Sequence, residues 1–198
     1  NCKTLEDLLK EYVALYGKTT WAISTYGGCT SLIDHYIIPI IGSMKLNEIT
    51  SRVLEKYYMS LLKTPAVDKI TKKRGSKNVD YVTPATVKKI HNILRSCFHQ
   101  AVKWDLMEKN PAVYATVPKA EAKKREIWDA PTLFHALEVC EDERLKLAIN
   151  LAFACSLRMG ELLGLTWDCV DITPESIAAG KAYVSVNKER QRVDKSHM

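Results

Sequence analysis

Arg158 and Glu161 are the two residues whose types and spacing most directly suggest chemistry. They stand three positions apart in the run SLRMGEL, residues 156–162, directly after an apolar stretch that predicts a buried helix. A guanidinium binds phosphate oxygens through two parallel hydrogen bonds and does not lose its charge. At the mouth of a buried corner it would neutralise the charge that grows on the oxygens of a pentacoordinate phosphorus. The structural alternative is an i,i+3 ion pair, in which Glu161 supplies the anion that a buried cation needs.

Lysine and arginine side chains are concentrated in three other places, where they suggest a polyanionic partner. The first is a loop without acids that holds Lys69, Lys72, Lys73, Arg74 and Lys77. The second is a segment with the composition of a linker, and it holds Lys119, Lys123, Lys124 and Arg125. The third is a predicted helix, on which the cations off the apolar stripe include Lys88, Lys89 and Arg95. These side chains can neutralise phosphates without reading bases, and an ordinary solvated surface is the alternative.

The net charge differs between three consecutive parts of the chain. Residues 1–117 hold 17 basic and 10 acidic side chains, a net charge of +7, and residues 118–126 hold 4 and 2, a net charge of +2. Residues 127–198 hold 8 and 11, a net charge of −3, which leaves +6 for the whole chain. This asymmetry favours nucleic acid as the partner of the first part of the chain.

Composition excludes several classes of protein. An apolar fraction of 46% and a charged fraction of 26% exclude a wholly disordered chain, and no apolar run is long enough to span a membrane. None of the six cysteines forms a Cys-x-x-Cys pair or has a histidine at zinc-ligand spacing. We therefore expect buried free thiols in a reducing cytosol, and no metal, cofactor or membrane partner. The chain starts without Met and shows no secretory signal, and we expect it to be a piece of a longer protein.

Helices must position these residues. Capping residues and apolar spacing predict four helices in the first part of the chain, at about residues 5–16, 24–37, 51–62 and 84–103. Gly17 is expected to end the first of them, and Pro39 with Gly42 the second. Four helices around one apolar core make a compact bundle.

The pattern changes after the basic segment. A helix is predicted after Asp129, an apolar and buried helix over 144–155, and short strands near residue 170 and at 182–186. The predicted fold is therefore mainly α. It comprises a four-to-five-helix bundle in residues 1–117, a basic linker in 118–126 and the start of an α+β domain in 127–198.

The segment LAFACSLRMGELLGLTWDCVDI, residues 151–172, resembles the first catalytic box of the tyrosine recombinases, the phage-integrase family. The residues that match the box are Leu157, Arg158, Gly160, Glu161, Leu162, Leu165, Trp167 and Asp171. Cys155 and Ser156 stand where the box usually has Thr-Gly, which affects backbone freedom in the turn. Upstream, much of 26–50 and of 83–112 resembles the family's SAM-like core-binding domain. The resemblance is nearest to integrases of conjugative transposons.

The resemblance implies a site-specific DNA recombinase of a mobile element, which needs no metal or cofactor. Such an enzyme cuts and rejoins duplex DNA through a 3′-phosphotyrosyl intermediate and works as a tetramer on its DNA sites. Arg158 would be the first catalytic arginine and Glu161 its supporting acid. The second arginine, a later His or Trp and the nucleophilic tyrosine are expected beyond this chain, and Tyr183 is not proposed as the nucleophile. The catalytic lysine stays unassigned, although Lys188 and Lys195 lie near its expected place.

The resemblance also implies a bacterial or phage-encoded protein of the cytoplasm, associated with the nucleoid when it binds DNA. Two other hypotheses remain open. One is a non-catalytic DNA-binding or regulatory module built on the same helices, and the other is a helical scaffold for protein interactions. The first predicts that Arg158→Ala changes activity little, and the second predicts no DNA binding at any salt concentration.

Overall fold

The structure is a computed structural model that describes residues 3–67, 80–121 and 126–191. The described residues form two compact units, one within residues 3–121 and the other within 126–191. The fold is mainly α, as predicted, with one two-stranded sheet in the described part of the chain. The domain limits 1–117, 118–126 and 127–198 stay a prediction. No helix among the described residues has the length and apolar character needed to cross a membrane.

Two long helical runs and two single helices build the first unit. The first run comprises α1 (Leu5–Tyr12), a π-helical segment (Val13–Gly17) and α2 (Lys18–Thr20). The second comprises α3 (Ile23–Leu32), a π-helical segment (Ile33–Ile37) and α4 (Ile38–Ile41). A 3₁₀ turn (Leu46–Glu48), α5 (Ser51–Leu61) and α6 (Pro84–Lys103) follow.

Three threonines begin helices of the first unit where the sequence predicts it. The Thr4 hydroxyl accepts a hydrogen bond from the backbone N–H of Asp7 at 3.2 Å, and the Asp7 carboxylate accepts one from the Thr4 N–H at 3.1 Å. The Thr50 and Thr83 hydroxyls cap α5 and α6 by accepting hydrogen bonds at 3.3 Å from the backbone N–H groups of Val53 and Thr86. Each cap satisfies a backbone N–H that a helix would otherwise leave without a partner.

Gly17 and Pro39 do not end the first two helices, so these predictions are wrong, whereas Gly42 ends the second run as predicted. Gly17 lies inside the first run, where an added Cβ would be 2.8 Å from the Trp21 ring, so its lack of a side chain serves the packing of Trp21. Pro39 lies in α4, which directly follows the π-helical segment Ile33–Ile37, and does not break the run. The second run therefore continues through Pro39 and stops before Gly42.

One apolar core holds the first unit together. Its fully buried large side chains come from α1, α5 and α6 and the π segment before α4, and include Leu8, Leu9, Tyr12, Ile37, Leu54, Tyr58, Ile90, Leu94 and Phe98. The polar atoms that enter this core are hydrogen-bonded. The Tyr58 hydroxyl lies 3.0 Å from Nδ1 of His91, and the Tyr57 hydroxyl donates to the Tyr36 carbonyl at 2.9 Å. The core fixes which face of α6 turns to solvent.

The second unit begins with three helices and ends in a small sheet. Its elements are α7 (Ala130–Val139), α8 (Glu143–Cys155), α9 (Met159–Gly164), a 3₁₀ turn (Trp167–Cys169), β1 (Val170–Asp171), α10 (Pro174–Ala178) and β2 (Tyr183–Val184). The strands pair antiparallel, with Val170 opposite Val184. Asp129 caps α7, as the sequence predicts, by accepting a hydrogen bond from the Thr132 N–H at 2.9 Å.

The helix α8 exists as predicted, but the prediction that it is buried is wrong. No residue of α8 is buried, and the side chains of Leu147 and Phe153 are 61% and 60% exposed. Leu133 and Cys169 are the buried apolar residues among those described in the second unit. The apolar pattern predicts a helix, whereas burial requires another layer over the same face, and the described residues of this unit do not supply one.

Candidate phosphate and nucleic-acid site

Arg158 lies in the turn between α8 and α9. Ser156, directly after α8, adopts the left-handed conformation with φ 53° and ψ 33°, which ends the helix. Arg158 is then extended, with φ −72° and ψ 155°, and immediately precedes α9. This break between the helices places Arg158 directly before a new helix rather than inside one.

Glu161 holds Arg158 through both of its carboxylate oxygens. Oε2 accepts a hydrogen bond from the Arg158 backbone N–H at 2.8 Å, and Oε1 accepts one from Nη1 at 3.0 Å. The pKa of Glu161 is lowered, first by the backbone N–H of Arg158 and less strongly by its guanidinium. Glu161 is therefore a charged anchor at neutral pH.

The Arg158 side chain is 86% exposed, so the expectation of a cation at a buried corner is wrong. The ion pair that the sequence offered as the structural alternative is present. One of the five guanidinium N–H donors points to Glu161, and no other described residue hydrogen-bonds this group. The arrangement leaves a fixed, solvent-facing guanidinium that can bind an anion.

A backbone segment packs tightly along α9. The Arg190 N–H donates to the Gly160 carbonyl at 2.8 Å, and an added Cβ on Gly164 would lie 2.8 Å from the Lys188 carbonyl oxygen. Gly164 therefore needs a residue without a side chain, whereas an added Cβ on Gly160 would lie 3.3 Å from the Arg190 carbonyl oxygen and would require only a small shift.

Lys188 has its own partners on the same unit. Its Nζ lies 2.8 Å from Oδ2 of Asp168 and 2.7 Å from Oγ1 of Thr166. The hydrogen bond from Lys188 is the main reason that the pKa of Asp168 falls to about 2, and it raises the pKa of Lys188. Sequence reasoning missed Asp168 and Thr166, because no local spacing links residues about twenty positions apart.

The cations predicted on α6 are all exposed and point away from the core. Lys88, Lys89 and Arg95 lie on the solvent side of the helix, together with Lys103. The sequence of α6 contains no Asp or Glu. This helix therefore presents a positive face without local acids to neutralise it.

The remaining predicted DNA contacts are described only in part. Lys119 is exposed. The other cations of the two basic segments lie outside the described residues, namely Lys69, Lys72, Lys73, Arg74, Lys77, Lys123, Lys124 and Arg125.

Cysteine burial is mixed. Within the described ranges, Cys97 and Cys169 are buried and Cys155 is exposed, and none of the three is in a disulfide, so the expectation of general burial is wrong for Cys155. In the same ranges no three His, Cys, Asp or Glu side chains are grouped in a way that could hold a metal ion.

Residues 4–62 match the family described as phage integrase, N-terminal SAM-like domain. The chain is similar to an integrase of Saccharopolyspora erythraea, with 23% identity over 181 residues that cover 90% of this chain and 38% of the relative. It is also similar to a XerC-like tyrosine recombinase of Caldanaerobacter subterraneus subsp. tengcongensis, with 28% identity over 140 residues, covering 68% of this chain and 32% of the relative.

A solved structure of the Tn1549 transposon integrase in complex with circular intermediate DNA has the same fold. Its TM-score is 0.65 at 16% identity, and the match covers 86% of this chain and 52% of that one. The chain spans about a third of the length of the curated relatives named above. The match to the Saccharopolyspora integrase covers most of the chain and extends well past the helical domain. Residues 4–62 thus match the SAM-like domain of phage integrases, and the chain as a whole is similar to proteins named integrase and tyrosine recombinase.

Proposed function

We propose that the chain is part of a site-specific DNA recombinase. Its first unit would hold duplex DNA, and its second would place Arg158 on the phosphate that is cut and rejoined. The observation that carries this proposal is a solvent-facing Arg158, held by Glu161, in a chain that is similar to integrases and tyrosine recombinases.

The whole protein would cut and rejoin DNA through a 3′-phosphotyrosyl intermediate, with the tyrosine supplied from beyond this chain. It would act as a tetramer on its DNA sites, on the nucleoid of a bacterial cell. The similarity to a transposon integrase supports a role in a mobile element.

The exposed face of α6 is suited to the DNA-binding part of this function. A helix that carries four exposed cations and no acid attracts the phosphate backbone and displaces its counterions. The two basic segments, residues 69–77 and 119–125, would add to the same positive field.

Arg158 is suited to the phosphate-binding part. Glu161 accepts hydrogen bonds from the backbone N–H and from Nη1 of Arg158 and so orients the guanidinium, whose remaining N–H groups can bind non-bridging phosphate oxygens. Those oxygens gain negative charge when a nucleophile attacks, and a guanidinium held in advance stabilises that charge. The residues of this chain would bind and polarise the phosphate, and the attacking group would come from elsewhere.

Salt titration tests the DNA-binding part. If the four α6 cations each contact a phosphate, a plot of log K against log salt for a labelled 30-bp duplex should have a slope of about −3.6 or steeper. Affinity should then fall about 100-fold or more between 50 and 200 mM KCl. Lys89→Gln should make the slope shallower by about 0.9, whereas Lys10→Gln, on α1 and paired with Glu6, should not change it. Equal affinity at both salt concentrations would contradict the proposal.

Covalent trapping tests the role of Arg158 and decides between the recombinase and a non-catalytic module. In the full-length protein, Arg158→Ala should lower the yield of covalent adduct on a nicked cognate duplex about 100- to 1,000-fold. Arg158→Lys keeps the charge but loses the bidentate hydrogen bonding, so its adduct yield should lie between those of the unsubstituted protein and Arg158→Ala. The 198-residue chain alone should give no adduct. A full-length Arg158→Ala protein with undiminished adduct formation would remove Arg158 from the mechanism.

A further inference from the structure

The exposed face of α6 carries two kinds of side chain in an ordered arrangement. Asn92 and His99 are seven residues apart, so they lie within about 20° of one line along the helix and about 10 Å from each other along its axis. Lys88 and Arg95 lie on one side of that line, and Lys89 lies on the other. Uncharged polar groups thus occupy the centre of the face, with cations on both flanks.

The centre line is free to contact an outside partner. Asn92 and His99 are exposed, and neither side chain hydrogen-bonds any described residue. Their polar neighbours are already engaged, because Ser96 accepts a hydrogen bond from the Tyr12 hydroxyl at 2.8 Å and Asn110 donates to the Arg95 carbonyl at 2.8 Å. Together with Arg95 and Asn110, they line an open cleft of about 490 Å³.

Helix stability does not account for these two residues. Asn and His are both poorer helix formers than Ala, Lys or Glu, which are the usual residues on an exposed helix face. Neither residue caps α6, which begins at Pro84 and ends at Lys103. Their position in the middle of the exposed face therefore points to a ligand.

Duplex DNA fits this arrangement of side chains. The major groove is about 12 Å wide and admits an α-helix, and α6 is about 30 Å long. With the helix in the groove, its centre line faces the base edges and its flanks face the phosphates of the two strands. An asparagine amide forms two hydrogen bonds with adenine, whereas the lysines on the flanks contact phosphates of any sequence.

Building on the proposed function, we propose that Asn92 and His99 determine the DNA sequence that the first unit prefers. Asn92 contacts an adenine, and His99 contacts a purine about three base pairs away. Lys88, Lys89 and Arg95 supply affinity from the flanks.

Selection from a library of duplexes with 20 randomised base pairs tests this assignment. The full chain should enrich a preferred sequence. Asn92→Ala and His99→Ala should each remove the preference at one position, where the favoured base is selected about 5- to 100-fold over the others. Both variants should bind an unselected duplex within about twofold of the unsubstituted chain. Lys89→Ala is the matched control, and it should weaken binding to all sequences while leaving the preferred sequence unchanged.

The outcomes separate this inference from the proposed function. Absence of salt-dependent binding by the unsubstituted chain would overturn both. Salt-dependent binding without any preferred sequence, or a preference that survives both Asn92→Ala and His99→Ala, would overturn the sequence-reading role alone. Thermal unfolding of the two variants should match that of the unsubstituted chain, since both side chains are exposed, and this excludes misfolding as the cause of a lost preference.

Discussion

Replacing Ser156 with glycine should stabilise the turn that presents Arg158. Ser156 has φ 53°, and among the described non-glycine residues only Asp105, with φ 57°, also has a positive φ. The left-handed conformation costs an L-residue about 1–2 kcal/mol, and glycine avoids this cost. Glycine is also the residue usually found at this position in the catalytic box that residues 151–172 resemble.

The size of the effect follows from two opposing contributions. Ser156→Gly removes about 1–2 kcal/mol of backbone strain. It also gives the unfolded chain more freedom, which costs about 0.5–1 kcal/mol. The Ser156 side chain is exposed and hydrogen-bonds no described residue, so no contact is lost. With the middle of each range, the net gain should be about 0.75 kcal/mol. Ser156→Val should destabilise the turn, because a β-branched residue tolerates positive φ poorly.

Hydrogen exchange detects this change in the unit where it occurs. Amides of α8 and α9 should exchange about two- to fivefold more slowly in Ser156→Gly, since 1.4 kcal/mol corresponds to a factor of ten. The matched control is Asp105→Gly, which should act only on the first unit and less strongly, because aspartate tolerates this conformation better than serine. Faster exchange in Ser156→Gly, or unchanged exchange in Ser156→Val, would show that Arg158 is not presented by a left-handed turn.

Three further predictions concern packing and pH. Tyr58→Phe should lower the free energy of unfolding by about 1–3 kcal/mol, because it leaves the buried Nδ1 of His91 without its partner. Urea unfolding should show that Tyr58→Phe combined with His91→Leu recovers part of the loss. The first unit should lose stability as the pH falls below about 6.5, because burial, with a smaller effect of Arg95, lowers the pKa of His91 and the unfolded chain takes up the proton first. The loss should level off below the folded pKa, and a His91→Leu variant with the same pH dependence would refute this cause. Gly164→Ala should lower the thermal midpoint because of the carbonyl oxygen 2.8 Å away, whereas Gly28→Ala, with nothing within 4 Å, should raise or keep it.

Local features of the fold could be predicted from the sequence. The caps at Thr4, Thr50 and Thr83 depend on contacts within three residues, and all three are present. Gly17 and Pro39 were misread as helix ends because their effect depends on what surrounds them. Gly17 accommodates the ring of Trp21, and Pro39 lies in a helical segment that directly follows a π-helical one.

The same distinction holds at the candidate site. The pair of Arg158 and Glu161 could be predicted because it is local, with both residues in one turn. The exposure of Arg158 could not be predicted, because the apolar pattern of α8 does not show whether another layer of the protein covers that helix. The ion pair of Lys188 with Asp168 joins distant positions and has no sequence signal. The role proposed for Asn92 and His99 became visible only when the structure fixed which face of α6 is exposed.

The exposure of the Arg158 ion pair helps to decide between its structural and catalytic interpretations. Ion pairs open to solvent stabilise proteins little, so the contact between Nη1 of Arg158 and Glu161 contributes little to the free energy of unfolding. Glu161 already satisfies the free backbone N–H at the start of α9, and that bond would remain with alanine at position 158. What the guanidinium contact adds is orientation of a charged group toward solvent. We therefore expect Arg158→Ala to leave the thermal unfolding of the second unit nearly unchanged while adduct formation is lost. Unfolding of that unit by Arg158→Ala would instead assign the pair to the stability of the turn.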